Sequence, residues 1–270
     1  MAVDKLVDST QLDSDLTSVA NAIRTKGGTS ASLAFPADFV SAINAISGGG
    51  GDIDALIDNT IQTVTSNVTS IRNSAFRSCT SIVSASFPLC ITINSQAFQG
   101  ANKLETLSIP ICTTLKSDAL RDCTKLTSLI APEILTIENM AFRGVKLPIL
   151  VFNKATTSGS SAFESNTDLT TVDMSLMGAI SNYAFNGCTS FSILILRKTG
   201  AITTLANVNA FQNTPFASGG AGGTLYVPSS LKSTYENASN WATILGYANN
   251  SIATIEGSTY ETHYADGTAI

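Results

Sequence analysis

Residues 93–110 read INSQAFQGANKLETLSIP, and variants of this stretch recur along the chain. Its fixed element is an Ala followed by a large apolar residue: Ala75-Phe76, Ala97-Phe98, Ala119-Leu120, Ala141-Phe142, Ala162-Phe163, Ala184-Phe185 and Ala210-Phe211. Successive alanines lie 22, 22, 22, 21, 22 and 26 residues apart. A period of this length marks one supersecondary unit that is repeated and stacked. Such a stack makes a long surface rather than a closed pocket, which points away from enzymes.

Within the quoted turn, Phe98 is followed by Leu104, Leu107, Ile109 and Pro110. The neighbouring turns supply Ile82, Ala85, Phe87, Pro88 and then Leu126, Leu129, Ala131, Pro132. The fourth turn is one residue short and gives Leu147, Leu150, Phe152; later turns give Leu169, Val172, Met174 and Phe191, Leu194, Leu196. The last is stretched and ends in Leu225, Val227, Pro228. The alternation around each strand-like segment predicts a short strand with one buried side. Stacking pairs these strands into one parallel sheet of about seven 22-residue turns, roughly 30 Å long at the usual strand spacing. The column Ile71, Ile93, Leu115, Ile137, Ile180 is expected to line the opposite wall, and Ser158 interrupts it.

The segments SIRNSAFRSCTSI, TINSQAFQGANKL, LKSDALRDCTKL and ISNYAFNGCTSF resemble the BspA-like branch of leucine-rich repeats. GGTLYVPSSLKSTYENASNWATIL is similar to the end of such arrays. The resemblance covers residues 61 to 250 and implies a leucine-rich repeat solenoid, α/β and horseshoe-like, from a family of mostly surface adhesion and protein-binding proteins. A second resemblance lies at the start. VDSTQLDSDLTSVANAIRTKGGTSASLAFPADFVSAINAI resembles the leader of tail-associated proteins from phages and prophages of gut Firmicutes. It implies a virion protein whose leader docks to other tail proteins or self-associates, a homotrimer included, while the repeats contact a protein or glycan receptor on a bacterial surface. The alternatives are a bacterial cell-surface adhesion module and a structural virion component.

These readings divide the chain into a helical leader at 1–47, a Gly-rich linker at 48–60, repeats at 61–228, a capping helix at 229–250 and a tail at 251–270. The leader's candidate assembly face is Leu12, Leu16, Val19, Ile23, Phe39 and Ile43, on helices expected over 10–26 and 36–46. The capping helix, over 230–245, carries Leu231, Tyr235, Ala238, Trp241 and Leu245 and is expected to cover the last turn, with Trp241 as its anchor.

Charge is sparse, at 13% of residues. Residues 59–198 carry 11 basic and 8 acidic side chains, residues 1–58 carry 3 and 8, and residues 199–270 carry 1 and 4. An excess of three cations over seven turns is no nucleic-acid stripe. No segment approaches about 18 uninterrupted apolar residues, so membrane insertion is not expected. MAVDKLVDSTQ has no apolar run after Lys5, which favours a virion protein over an exported adhesin.

No cofactor or metal site is expected. Cys79, Cys123 and Cys188 share one column and Cys90 and Cys112 another, as small buried hydrophobes do. There is no C-x-x-C, and the one His, His263, lies in the polar tail. Asp118 with Asp122, and Asp168 with Asp173, read as solvated faces or turn formers. GGAGG at 219–223 lacks the Lys-Ser/Thr of a phosphate loop and reads as a flexible turn.

Binding is expected on the strand face that points outward. One column is Ser86, Ser108, Ile130, Val151, Asp173, Ile195, Tyr226 and its neighbour is Ser84, Thr106, Ser128, Ile149, Thr171, Ile193, Thr224. The candidate partner surface is Ile130, Ile149, Val151, Thr171, Asp173, Ile193, Ile195 and Tyr226, because so many large aliphatics on one exposed face make an interface.

Overall fold

A computed structural model describes residues 62–255. The leader, with both of its expected helices, and the tail from residue 256 onward lie outside the described residues.

The repeats wind into a parallel β-solenoid of about six 22-residue turns, closed by a widened turn and short helices. Each turn carries two strands. The outward strands are β1 (Thr63–Thr65), β3 (Ser84–Ser86), β5 (Thr106–Ser108), β7 (Ser128–Ile130), β9 (Ile149–Phe152), β11 (Thr171–Met174), β13 (Ile193–Leu196) and β15 (Thr224–Pro228). Two-residue strands build the opposite wall: β2 (Ser70–Ile71), β4 (Thr92–Ile93), β6 (Thr114–Leu115), β8 (Thr136–Ile137), β10 (Thr157–Ser158), β12 (Ala179–Ile180) and β14 (Thr204–Leu205). The expected Ile71-to-Ile180 column is therefore itself a seven-stranded parallel sheet. The repeats carry strands and turns on this wall where an α/β horseshoe would carry helices.

Ser158 stays in that wall. It is buried, its Oγ donates to Ala179 O at 3.4 Å, and β10 meets β12 only through Thr157 and Ala179.

The Ala-Phe segment joins turns at a third place. Phe98 N donates to Ala119 O at 2.8 Å, Phe142 N to Ala162 O at 2.8 Å, and Phe163 N to Ala184 O at 2.8 Å. The motif alanines from Ala97 to Ala210 are fully buried, so a larger side chain has no room there. The residue before each of the first six alanines is left-handed: Ser74, Gln96, Asp118, Met140, Ser161 and Tyr183 all have φ between 55° and 60°. A second left-handed position, two residues after the aromatic, is filled by Gly100, Gly144 and Gly187 in some turns and by Ser78, Asp122 and Ser165 in others.

The aromatics stack through the core. Phe76 and Phe98 lie 4.8 Å apart, Phe142 and Phe163 5.7 Å, and Phe163 and Phe185 5.1 Å, all within 15° of parallel. Leu120 interrupts the stack in the third turn.

The outward strands do not form one sheet, contrary to expectation. They split into β1-β3-β5-β7 and a five-stranded sheet that begins at β9. The break has a local cause. The backbone amides of Glu105, Thr127, Thr170 and Ser192 each donate to the preceding turn. Pro148 holds this position in the shortened fourth turn and has no N–H to give to Thr127.

The C-terminal cap is two short helices rather than one: α1 (Lys232–Asn237) and α2 (Ser239–Leu245), after a 3₁₀ turn at Ser229–Leu231. Ala238 between them is extended (φ −78°, ψ 129°). Trp241 anchors the cap. Its Nε1 donates to Thr203 O at 2.8 Å, its ring lies 5.9 Å from Phe211, and Thr203 N donates to Tyr235 Oη at 2.8 Å. The start of the expected tail also needs amending: β16 (Ser251–Ile255) pairs in parallel with β15 and completes the five-stranded sheet. Gly223 is required where it stands, since a Cβ would lie 2.5 Å from the Phe216 ring.

Phe163→Ala is expected to cost about 3–5 kcal/mol, because it opens a cavity in the middle of the stack. Ser165→Gly is expected to be neutral or to stabilise by up to about 1 kcal/mol, since it relieves a left-handed serine. Urea unfolding of both variants checks the pair.

Candidate functional site

The outward face has two characters. β3 and β5 present Ser84, Ser86, Thr106 and Ser108, a hydroxyl surface in which Thr106 Oγ1 donates to Ser84 Oγ at 2.7 Å. From β9 onward the face carries β-branched residues. Ile149, Thr171 and Ile193 pair across strands in one row; Val151, Asp173, Ile195 and Tyr226 pair in the next.

Seven of the eight expected partner residues therefore share the five-stranded sheet. Ile130 does not. It lies on β7 across the break and is the most exposed of the set, at 53%. Ile149, Val151, Thr171, Ile193, Ile195 and Tyr226 are half-buried by their cross-strand neighbours.

Asp173 departs from both expectations placed on it, a solvated face and an exposed partner residue. It is 3% exposed and held by Arg197, whose Nε donates to Oδ1 at 3.1 Å and whose Nη2 lies 2.8 Å from Oδ2. Arg197 sits just past the end of β13, and its guanidinium reaches back over the neighbouring strand. Burial pushes the Asp173 carboxyl up, and the hydrogen bonds and charge of Arg197 oppose that rise without cancelling it.

The other carboxylates singled out from the sequence also face cations. Asp118 and Asp122 both face Arg121, at 3.1 and 3.3 Å, and Asp168 lies 3.6 Å from Lys146. Glu138, beside a groove of about 240 Å³ lined by Ser117, Asn139, Thr157 and Gly159, receives Lys116 Nζ at 2.7 Å and the Ser117 amide and hydroxyl at 3.1 Å. Burial alone would raise its pKa, but these donors hold it below the ordinary carboxylate range. Its lone pairs are taken up in joining turns. No three His, Cys, Asp or Glu residues converge as metal ligands among the described residues, and no described helix is long and apolar enough to cross a membrane.

Cys90, Cys112, Cys123 and Cys188 are buried, while Cys79 is half-exposed. Cys123 Sγ donates to Phe98 O at 3.1 Å and Cys188 Sγ to Phe163 O at 3.0 Å. Burial pushes both thiols up to about 12.

Two surface features escaped the sequence reading. One is Arg197. The other is a corner of exposed apolar side chains beyond the outward strands: Leu89, Ile91, Ile111 and Leu135, with Leu176 farther along. The glutamate–lysine pair Glu133–Lys154, at 2.6 Å, interrupts it. The signal for the corner was available, since Leu89 and Ile111 each follow the strand-terminal proline by one residue.

Residues 58–170 and 113–238 match the family model described as BspA type leucine-rich repeat region, in six copies. No curated protein matches the chain. Among solved structures, a leucine-rich repeat protein of T. pallidum is 20% identical, with 71% of this chain and 87% of that one covered and a TM-score of 0.51. A leucine-rich repeat protein from Bacteroides ovatus is 19% identical over 62% of this chain, with a TM-score of 0.47, and this chain spans about half (52%) of its length. A leucine-rich cell surface protein from Faecalibacterium prausnitzii is 17% identical over 74% of each chain, with a TM-score of 0.38.

Arg197→Ala is expected to destabilise the fold by about 3 kcal/mol by stranding a buried carboxylate, and Asp173→Val/Arg197→Met by much less. Thermal denaturation at pH 7 distinguishes them. Brief treatment of the folded chain with iodoacetamide at pH 8 is expected to add one label, at Cys79, and denaturation to admit five; intact mass gives the count.

Proposed function

From the premise that the chain belongs to the BspA-type leucine-rich repeat family, we propose a non-catalytic protein-binding module that holds a partner at a bacterial cell surface. The observation that carries this reading is the change along the outward face. Hydroxyl residues give way from β9 onward to an in-register surface of Ile149, Val151, Ile193, Ile195 and Tyr226. An aliphatic surface of this kind, divided by Thr171 and the paired Asp173, suits a protein partner, whose own apolar groups it desolvates. The buried Asp173–Arg197 pair at its centre fixes shape without offering a reactive group.

Family members are mostly surface adhesion and protein-binding proteins, and surface localisation is proposed on that ground. The phage-tail role expected from the leader draws no support from the family match, which begins at residue 58, and the surface reading replaces it. The candidate leader residues Leu12, Leu16, Val19, Ile23, Phe39 and Ile43 lie outside the described residues.

Fluorescently labelled chain, applied to a panel of bacterial and epithelial cells, is expected to bind at least one type saturably. Ile193→Ser/Ile195→Ser is expected to weaken that binding about tenfold or more. Pretreating the cells with protease is expected to abolish it. Undiminished binding by the double variant would move the site off this face, and survival of binding after protease would point to a glycan.

A further inference from the structure

The five cysteines fall in two columns, and only one column brings two thiols together. Cys79, Cys123 and Cys188 are separated by other turns: Ala101 stands between the first two, and Val145 and Asn166 between the last two. Two strand spacings come to about 10 Å, beyond the roughly 7 Å that a disulfide spans between Cα atoms. Cys90 and Cys112 instead hold the same place in adjacent turns. Each closes the bend after its outward strand in the same way: Cys90 N donates to Phe87 O and Cys112 N to Ile109 O, both at 3.1 Å. Two residues on, Thr92 pairs with Thr114 in β4 and β6. Thr113 N donates to Ile91 O at 2.9 Å, so the register holds between the cysteines and the strands. The two Cα atoms are then one strand spacing apart, about 4.8 Å, inside the range of a disulfide.

The side chains meet as well. Cys112 Sγ donates at 3.3 Å to Ile91 O, on the residue next to Cys90, and Cys90 Sγ donates to Thr92 O at 3.3 Å. The two sulfurs are hydrogen-bonded to each other. That bond, with burial, pushes the Cys90 thiol up, and it holds the Cys112 thiol below its ordinary range. Cys112 is thus the readier thiolate. Both side chains are fully buried, yet their chain neighbours are not: Leu89 and Ile91 are each 48% exposed and Ile111 is 43% exposed. Local opening of this corner reaches the sulfurs without unwinding the coil.

We propose that Cys90 and Cys112 are a modification site, at which a small-molecule disulfide joins them into a covalent bond between adjacent turns. The Cys112 thiolate attacks one sulfur of the oxidant, forming a mixed disulfide and releasing one small thiolate. Cys90, deprotonated, then attacks Cys112 Sγ, forming the protein disulfide and releasing the second. Two electrons pass from the cysteines to the oxidant, and the two protons they give up end on the two small thiols. The bond ties β4 to β6 and restricts the opening of that wall. A cell-surface setting supplies oxidants of this class. That setting rests on the proposed function; the reactivity of the pair does not.

The test uses the reduced full chain and a redox buffer of 2-mercaptoethanol and bis(2-hydroxyethyl) disulfide at pH 8. One sample is oxidised folded, a second is refolded from urea in the buffer, and a third is kept in urea throughout. Acid quenching and peptide mapping without reductant then identify the links. A Cys90–Cys112 link is expected in the folded or the refolded sample, about tenfold or more above any other pair and above the same link in urea. Cys90→Ala is expected to end it, and Cys79→Ala to leave it unchanged. A link in the refolded sample alone supports the pair and places bond formation during folding. Its absence from both samples overturns the proposal. So does equal linkage in urea, which would owe nothing to the fold, and so does a lasting adduct of the small thiol on Cys112, which would show that Cys90 does not reach it. Cell binding does not enter these readouts, so failure of the pair and failure of the binding role are read separately.

Discussion

From Phe76 to Phe185, the amide of the large apolar residue in each motif donates to the carbonyl of the motif alanine one turn on, and the rest of the solenoid depends on that bond. It fixes the offset between turns at the tightest point of the coil, where Ala97, Ala119 and Ala141 have no exposed surface. In the first six turns the residue immediately before the alanine is left-handed, a conformation that serine, glutamine, aspartate, methionine and tyrosine all adopt here at some conformational cost. With the turn fixed, the aromatic rings come into contact and the two flanking strands fall into register. No turn buries its own apolar side alone, so stability accumulates between neighbours.

Such a coil must be closed where it stops. The final turn widens to admit Phe216, and Tyr235 and Trp241 then seat on the backbone of Thr203. Asn240 adds donations to Leu205 O and Ala206 O at 2.7 and 3.1 Å. Side-chain donors and acceptors thus satisfy backbone groups that a further turn would otherwise have met. β16 covers the outward edge of β15 in the same way, using a strand in place of a helix.

The break at Pro148 shapes the binding surface. It separates a hydroxyl face from an aliphatic one, and Ile130 is stranded on the hydroxyl side. On the aliphatic side, Arg197 neutralises Asp173 and lets a carboxylate sit within a strand face without disrupting it. The result is a surface that can exclude water over several turns while its one buried charge is already paired.

The seven alanines each followed by a large apolar residue, the apolar columns and the alternation of the strands were legible from residue spacing, because a solenoid repeats one local solution and buried positions recur with the period. The hydroxyl-to-aliphatic change across the outward columns could be read in the same way. Nothing in that periodicity revealed that Pro148 would cut the sheet, because the cost of a missing donor depends on which carbonyl stands one turn away. Asp173 read as an outward carboxylate until a guanidinium 24 residues later in the chain covered it. Ala238 read as part of one amphipathic helix, and Ser251–Ile255 as tail, because neither the bend nor the added strand has a local signal. The sequence by itself determined the period, the core and the candidate face, since those follow from side chains within one turn. Only the tertiary structure decided the sheet boundary, the burial of the charge and the closing of the coil, since each depends on groups that meet across turns.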